Sequence, residues 1–534
     1  MERRIVIIGA GTSGLAACKY LLEFGFNPTV FEVDDGVGGL WRHTMDSTKL
    51  QNNKQMYQFM DFPWPSSVKE DNPSHNQVLD YLNSYAQHFS LIPYIRFNSK
   101  VIDIDYVGGE SIEEMKSWEW WGGNGRPFCS KGTWHITVQN TKNLSVEVYK
   151  AELVVLCIGK YSGFPNIPKF PLGKGPDVFS GKVMHSMDYS NLDNEAATEL
   201  IKGKRVTIIG SQKSALDLAA ECANANGVKH PCTVIQRNAH WFLPDFNIWG
   251  VIAGFLYLNR FAELLVHKPG ESFLLGLVAT LLSPLNSMLI QSSSVNYQRW
   301  GISKVVETTL KWKLPLKKYG LVPNHSFFQD LSSCLIAVFP DNFFDKLKEG
   351  SILIKQSQSC SFCSEGVIID GEAKPLKTDI VILATGYRGD QKIKNIFKSP
   401  HFQNHIVGPA TSTVPLYRQI IHPRIPQLAI IGYAESLENI FSSEMKCLWL
   451  GHFLDGNVEL PSIREMEKEV KSWEENMKQY GGPYFWKSCI VNCGIWYHDQ
   501  LCKDMKYNPR RKKGFLAELF QPYGHADYVA LSPK

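Results

Sequence analysis

Short runs of apolar, mostly β-branched residues recur along the chain, and two of them end in a glycine-bearing turn followed by an apolar helix. Ile5-Val6-Ile7-Ile8 opens the first such unit and Val206-Thr207-Ile208-Ile209 the second. Runs this continuous predict strands buried on both faces, as in parallel sheets. The same signal predicts strands over 29–31, 153–158, 233–236, 351–354 and 380–383. Residues 241–330 are apolar without strand alternation and predict a helical insertion. Residues 108–132, with several glycines and Trp118, Trp120 and Trp121, read as a surface excursion from a hairpin-rich region. Strands alternating with helices predict an α/β fold with parallel sheets covered on both sides.

A chain of 534 residues exceeds a single core. The two units divide it into a first nucleotide domain over 1–200, a second over 201–378 carrying the insertion at about 241–330, and a return to the first domain over 379–534. Hydrophobic residues at 44% and charged residues at 20% are ordinary globular values. The net charge of +4, without a long basic run, argues against a nucleic-acid surface. Twelve cysteines show no repeated framework, and Cys360 and Cys363 form a lone CxxC without a second pair or nearby histidines. The expectation is reduced cysteines and no metal. No apolar run reaches the roughly 18 residues that span a bilayer. The longest, 248–258 and 273–282, predict buried helices, with a membrane-surface or substrate-lid role as the alternative. No signal peptide is legible. The chain is therefore expected in the cytoplasm, free or loosely held on the cytosolic face of the endoplasmic reticulum.

The first unit has Gly9, Ala10, Gly11, Thr12, Ser13 and Gly14 in a GxGxxG turn. The first glycine permits the turn, the second lets a pyrophosphate approach the backbone, and the third lets helix and strand pack closely. The following helix aims its N-terminal N–H groups at phosphate. The next strand ends at Glu32, an acid that accepts from a ribose 2′-hydroxyl and repels a 2′-phosphate. Such a site suits FAD or NAD, and the second glycine pair, in Gly38-Gly39-Leu40-Trp41, favours FAD.

The second unit reads Gly210-Ser211-Gln212-Lys213-Ser214-Ala215. Alanine is accepted at the third glycine position. Gln212 at the second is a departure, which Lys213 could offset with positive charge. Its acidic position is taken by Arg237, which suits a 2′-phosphate and therefore NADPH.

Phe179, Gly181, His185 and Tyr189 then form FxGxxxHxxxY, and the whole chain resembles the flavin-containing monooxygenases. The resemblance implies two Rossmann-like domains in a glutathione-reductase-like arrangement, with this motif coupling them. Related Baeyer–Villiger enzymes end the motif in tryptophan, so Tyr189-Ser190 points to heteroatom oxygenation. Cys157-Ile158-Gly159, Ala384-Thr385-Gly386-Tyr387, Leu416-Tyr417-Arg418 and His422-Pro423 fit the same family. The passages 61–65, 184–189, 312–316 and 522–524 resemble the plant branch, and within it the pathogen-inducible subgroup that N-hydroxylates pipecolic acid in plant defence. By resemblance, an upstream asparagine contacts the flavin. Ungapped counting from Asp61 places Gln51 there, beside Asn52 and Asn53.

The resemblance implies NADPH reduction of FAD, reaction with O2 to a C4a-hydroperoxyflavin, and oxygen transfer to an amine or sulfide. It names no catalytic acid or nucleophile. Four other readings stay open: S-oxygenation of a thioether metabolite, NADPH oxidation yielding hydrogen peroxide, a disulfide reductase using Cys360 and Cys363, and a non-catalytic binding protein with a relict Rossmann fold.

Overall fold

In the computed structural model, residues 3–245, 257–264, 266–271, 297–408 and 413–531 are described. Most of the apolar runs 248–258 and 273–282 therefore lie outside the described residues, as does much of the predicted insertion. Among the described residues no helix is long and apolar enough to cross a membrane.

Two five-stranded parallel sheets organise the molecule. The first is centred on Arg4–Ile8, flanked by Asn27–Phe31 on one side and Leu153–Leu156 on the other, with Ile95–Arg96 and Leu428–Ile430 at its edges. Ile5 and Ile7 face the larger helical core, and Val6 and Ile8 the core beneath an antiparallel meander. Burial of both faces is why polar alternation is missing from this strand.

The second sheet runs, from edge to edge, Ile352–Gln356, Cys232–Gln236, Val206–Ile209, Ile380–Leu383 and Lys182–His185. Its central strands divide their side chains in the same way: Ile380 and Ile382 enter one core, Val381 and Leu383 another. Both flanking strands, Lys182–His185 and Ile380–Leu383, lie beyond the expected 201–378 limits. A parallel sheet recruits strands by register and not by sequence neighbourhood, so this sheet draws on chain from both sides of 201–378.

The meander pairs Ser99–Val107 with Thr133–Asn140 and the latter with Val146–Ala151. The expected excursion is the connection between its first two strands. It is anchored: Trp121 is fully buried and donates its indole N–H to the Ile425 carbonyl at 3.0 Å. Cys360–Cys363 is a strand of a second small antiparallel sheet, paired with Gly366–Ile369.

Candidate active site

The first cradle forms where Arg4–Ile8 turns into the Thr12–Glu23 helix. Gly9 has φ +102°, and a Cβ there would sit 2.6 Å from the Cys157 carbonyl oxygen. A Cβ on Gly14 would lie 1.8 Å from the Gly9 carbonyl oxygen, which is why strand and helix need glycine at both places. A Cβ on Gly11 would meet only Gly39, at its Cα 3.5 Å away and its N 3.9 Å away. The two glycine pairs of the sequence thus face each other, Gly39 being the first residue of the short Gly39–His43 turn that carries Leu40 and Trp41. The helix has no side-chain cap and no acid in its first turn, so its leading N–H groups, from Thr12 and Ser13 onward, are available to an anion.

Glu32 is buried at the end of Asn27–Phe31. Its carboxylate accepts from the Ala10 N–H at 2.5 Å and the Asp34 N–H at 3.0 Å. Burial nevertheless pushes the carboxyl above its ordinary range. The charge of Lys392 reaches Glu32 while its ammonium donates to the Ile158 carbonyl and, at 2.8 Å, to Ser162. Burial lowers this lysine to about 8. No local pattern marked Lys392, because its part in the cradle arises from a return of the chain more than two hundred residues later. Trp41 donates to the Tyr57 hydroxyl at 2.7 Å, and Tyr57 also bonds Thr12.

The second cradle repeats the first in outline. Gly210 has φ +155°, and a Cβ there would lie 2.3 Å from the Ala384 carbonyl oxygen. Gln212 caps the Lys213–Asn226 helix by backbone position alone. Its Nε2 is buried without a hydrogen-bond partner among the described residues. An orphaned amide donor at this turn fits an anionic ligand, since a buried unmet donor costs about 1–3 kcal/mol. Ser211 and Ser214 flank it, and Ala215 is buried at the close-packing position. Lys213 departs from its expected part: its ammonium turns along the helix to Asp217 at 2.5 Å, an i,i+4 pair. Arg237 is exposed just past Cys232–Gln236, with no ion-pair partner among the described residues, while its carbonyl is held by Gln356 and Gln358.

Between the cradles, the FxGxxxHxxxY motif forms the edge strand Lys182–His185 and the turn after it. Phe179 packs on Phe362, and a Cβ on Gly181 would meet the Asp379 carbonyl oxygen at 2.4 Å. His185 accepts the Met187 N–H at Nδ1, and burial lowers its pKa, keeping it neutral. Tyr189 donates to Glu221 at 3.0 Å, and Ser47 of the first unit donates to the other oxygen of the same carboxylate. The two crossovers between the sheets run side by side: Asn166 Nδ2 donates to the Thr385 carbonyl at 3.0 Å, and Thr385 Oγ1 donates to the Asn166 carbonyl at 2.6 Å.

Gln51 and Asn52 bridge the second unit and the C-terminal part of the chain. Gln51 Oε1 accepts the Val338 N–H at 3.3 Å, and Asn52 Nδ2 donates to the Leu437 carbonyl at 2.7 Å. Their backbone carbonyls are gathered by Asn72. One cysteine expectation is overturned: Cys334 and Cys489, 155 residues apart, form a disulfide with Cα atoms 5.7 Å apart. Spacing could not reveal a pair that only tertiary folding brings together. Cys360 and Cys363 are free, on a hairpin and not at either cradle.

A family model for flavin-binding monooxygenase-like proteins matches residues 2–282 and 279–513. The chain belongs to this family. It is 41% identical over 530 residues to the probable flavin-containing monooxygenase 1 of Arabidopsis thaliana, covering 98% of this chain and 96% of that one. The putative dimethylaniline monooxygenase [N-oxide-forming] 6 of Homo sapiens is 28% identical, over 87% of this chain and 75% of its own. Among solved structures, OTEMO in complex with FAD and NADP superposes with a TM-score of 0.64 at 16% identity, covering 95% of this chain and 98% of that one. The S-allyl-L-cysteine S-oxygenase of Allium sativum gives 0.55 at 17% identity, over 95% and 89%. Both likenesses establish the fold. The first glycine cradle fits the flavin adenine dinucleotide of this monooxygenase family: Gly9, Gly11 and Gly14 lie with Glu32, an acid that suits a ribose lacking a 2′-phosphate.

Proposed function

We propose that this chain is an NADPH- and O2-dependent monooxygenase that adds one oxygen atom to a nucleophilic nitrogen, with N-hydroxylation of pipecolic acid or a related amine as its reaction. The carrying observation is the opposite charge of two otherwise parallel cradles: buried Glu32 ends the second strand of one, exposed Arg237 that of the other. FAD at the first and NADPH at the second follow from that contrast.

Bound FAD would supply hydride acceptance and the activation of dioxygen. The chain's own residues bind and orient. Gly9, Gly11, Gly14 and the helix start at Thr12 and Ser13 would hold the FAD pyrophosphate, Glu32 its ribose, and Gly39, Leu40 and Trp41 would close over it. Gly210, Ser211 and Gln212 would receive the NADPH pyrophosphate, and Arg237 the 2′-phosphate. The carboxamides of Gln51 and Asn52, fixed between the units, would orient polar groups at the oxygenation pocket. Tyr189-Ser190 in the coupling motif and the N-oxide-forming relative support nitrogen as acceptor. The choice of pipecolic acid, and with it a part in plant defence, rests on the passages 61–65, 184–189, 312–316 and 522–524. A cytoplasmic site of action, with attachment to the cytosolic face of the endoplasmic reticulum as an option, belongs to the same reading.

The S-oxygenase of garlic favours a second reading, transfer to a thioether sulfur on the same scaffold. An aerobic assay with NADPH and pipecolic acid, following NADPH loss, peroxide and product mass together, separates the readings. A product heavier by one oxygen with little peroxide supports N-hydroxylation. NADPH loss matched by peroxide, with oxygenation appearing only when a thioether replaces the amine, would replace nitrogen by sulfur.

A further inference from the structure

Four contacts close a circuit around the Gln51–Asn52 segment. Gln51 holds the N–H of Val338, in the short Ala337–Val338 strand of the second unit. Asn52 holds the carbonyl of Leu437, in the loop that precedes the Asn439–Leu454 helix. Glu435, two residues before Leu437, pairs with the backbone around Cys489: its N–H donates to the Ser488 carbonyl at 3.0 Å, and it accepts the Ile490 N–H at 2.9 Å. Cys489 is bonded to Cys334, four residues before Val338. Three links of the circuit are hydrogen bonds, and the fourth is the disulfide.

We infer that Cys334–Cys489 is a positioning element for the monooxygenase reaction. It holds the two segments that grip the Gln51 and Asn52 carboxamides at a fixed separation. Reduction to two thiols loosens that grip and diverts turnover from oxygenated product to hydrogen peroxide. A reactive oxygen species in an active site survives only while its surroundings are held closed to water. Hydrogen bonds between segments free to move apart hold that closure weakly. The inference rests on the proposed function for its catalytic consequence, but not for its structural one.

Reduction by a dithiol adds two electrons and two protons and breaks the S–S bond. The reverse step can be driven by peroxide: the two thiols lose two protons and two electrons, the S–S bond forms, and hydrogen peroxide becomes two waters. Cys334 is partly exposed and can meet a small oxidant, while Cys489 is buried beside it. Peroxide released by the loosened enzyme would thus restore the tie that suppresses its release.

The test compares full-length enzyme as purified, the same enzyme after dithiothreitol, and Cys334→Ser. Alkylation followed by mass measurement establishes the state of the bond. Hydrogen exchange reads the peptides around Val338 and Leu437 without any turnover. The expected result is severalfold faster exchange there on reduction or in Cys334→Ser, and a severalfold higher ratio of peroxide to product with little change in flavin reduction by NADPH. Cys334→Ser should no longer respond to dithiothreitol. Equal exchange in both states, or both cysteines alkylating in the unreduced native enzyme, overturns the positioning role whatever the substrate proves to be. Faster exchange with an unchanged peroxide ratio overturns its catalytic part. Failure of NADPH to reduce the flavin sinks the proposed function instead, and leaves the exchange result to decide on the positioning role.

Discussion

Tyr189 donates its phenolic proton to Glu221 at 3.0 Å, so the last residue of the coupling motif is fastened to the helix of the second cradle. Burial pushes the Glu221 carboxyl up, and it is held by Tyr189 from one side and Ser47 from the other. Tyr189→Phe keeps the ring and removes the donor. It should cost about 1–2 kcal/mol in chemical denaturation, the penalty for leaving a buried acceptor half satisfied. An unchanged midpoint would mean that the carboxylate finds water instead.

In the proposed function, Arg237 is the residue that tells NADPH from NADH. Arg237→Ala should raise the KM for NADPH roughly 10- to 100-fold and leave that for NADH nearly unchanged, as expected when a charge-assisted bond to phosphate is lost. Steady-state kinetics with both cofactors read this directly. An equal effect on the two would place the 2′-phosphate elsewhere.

Glycines 11 and 14 should fail in different ways. A Cβ on Gly14 collides with backbone at 1.8 Å, so Gly14→Ala should yield little folded protein. A Cβ on Gly11 has only Gly39 backbone within reach, its Cα at 3.5 Å and its N at 3.9 Å, both ordinary contacts. Gly11→Ala should therefore fold with a thermal midpoint near that of the parent, yet purify with little flavin absorbance. Full yellow colour in Gly11→Ala would remove the pyrophosphate from this position.

Lys446 is fully buried, its ammonium has no hydrogen-bond partner among the described residues and only the Tyr497 ring 5.7 Å away as a cation–π contact, and burial lowers it to about 7. The unfolded value is near 10.4. The neutral form is therefore favoured by folding, and its stability contribution is complete above about pH 10.4 and lost as pH falls toward 7. Lys446→Met should be more stable than the parent at pH 7, by on the order of 2–4 kcal/mol. The gap should narrow by up to about 1.4 kcal/mol per unit as pH rises to 9. A less stable variant with a pH-independent gap would show that the ammonium is satisfied in solution.

The strands and glycine turns were legible because their signals are local. The run 380–383 has the same limits in the sequence as in the structure, and Gly9 and Gly210 sit where a tight turn demands positive φ. Glu32 and Arg237 were legible for the same reason: each sits one residue past a strand whose length is readable. What stayed hidden depends on pairs distant in sequence. Nothing near Gln51 indicates that Val338 will meet it, nor does Cys334 announce Cys489. Lys213 looked free to meet phosphate because the acid that takes it, Asp217, is visible only once both lie on one helix face. Lys182–His185, outside the expected 201–378 limits, gives a weak apolar signal and gains its place in the second sheet from the strand beside it.

The paired crossovers at Asn166 and Thr385 carry one more implication. Chain enters the second sheet and leaves it through a single doorway, its two jambs within hydrogen-bonding reach. In architectural terms the second unit is a guest whose backbone joins its host at one point, while Ser47–Glu221, Gln51–Val338 and Cys334–Cys489 stitch the two together away from that doorway. A short turn could join the jambs, but any replacement guest would have to supply those ties anew. The guest is thus one continuous stretch of chain by its backbone, and part of a single body by its side chains.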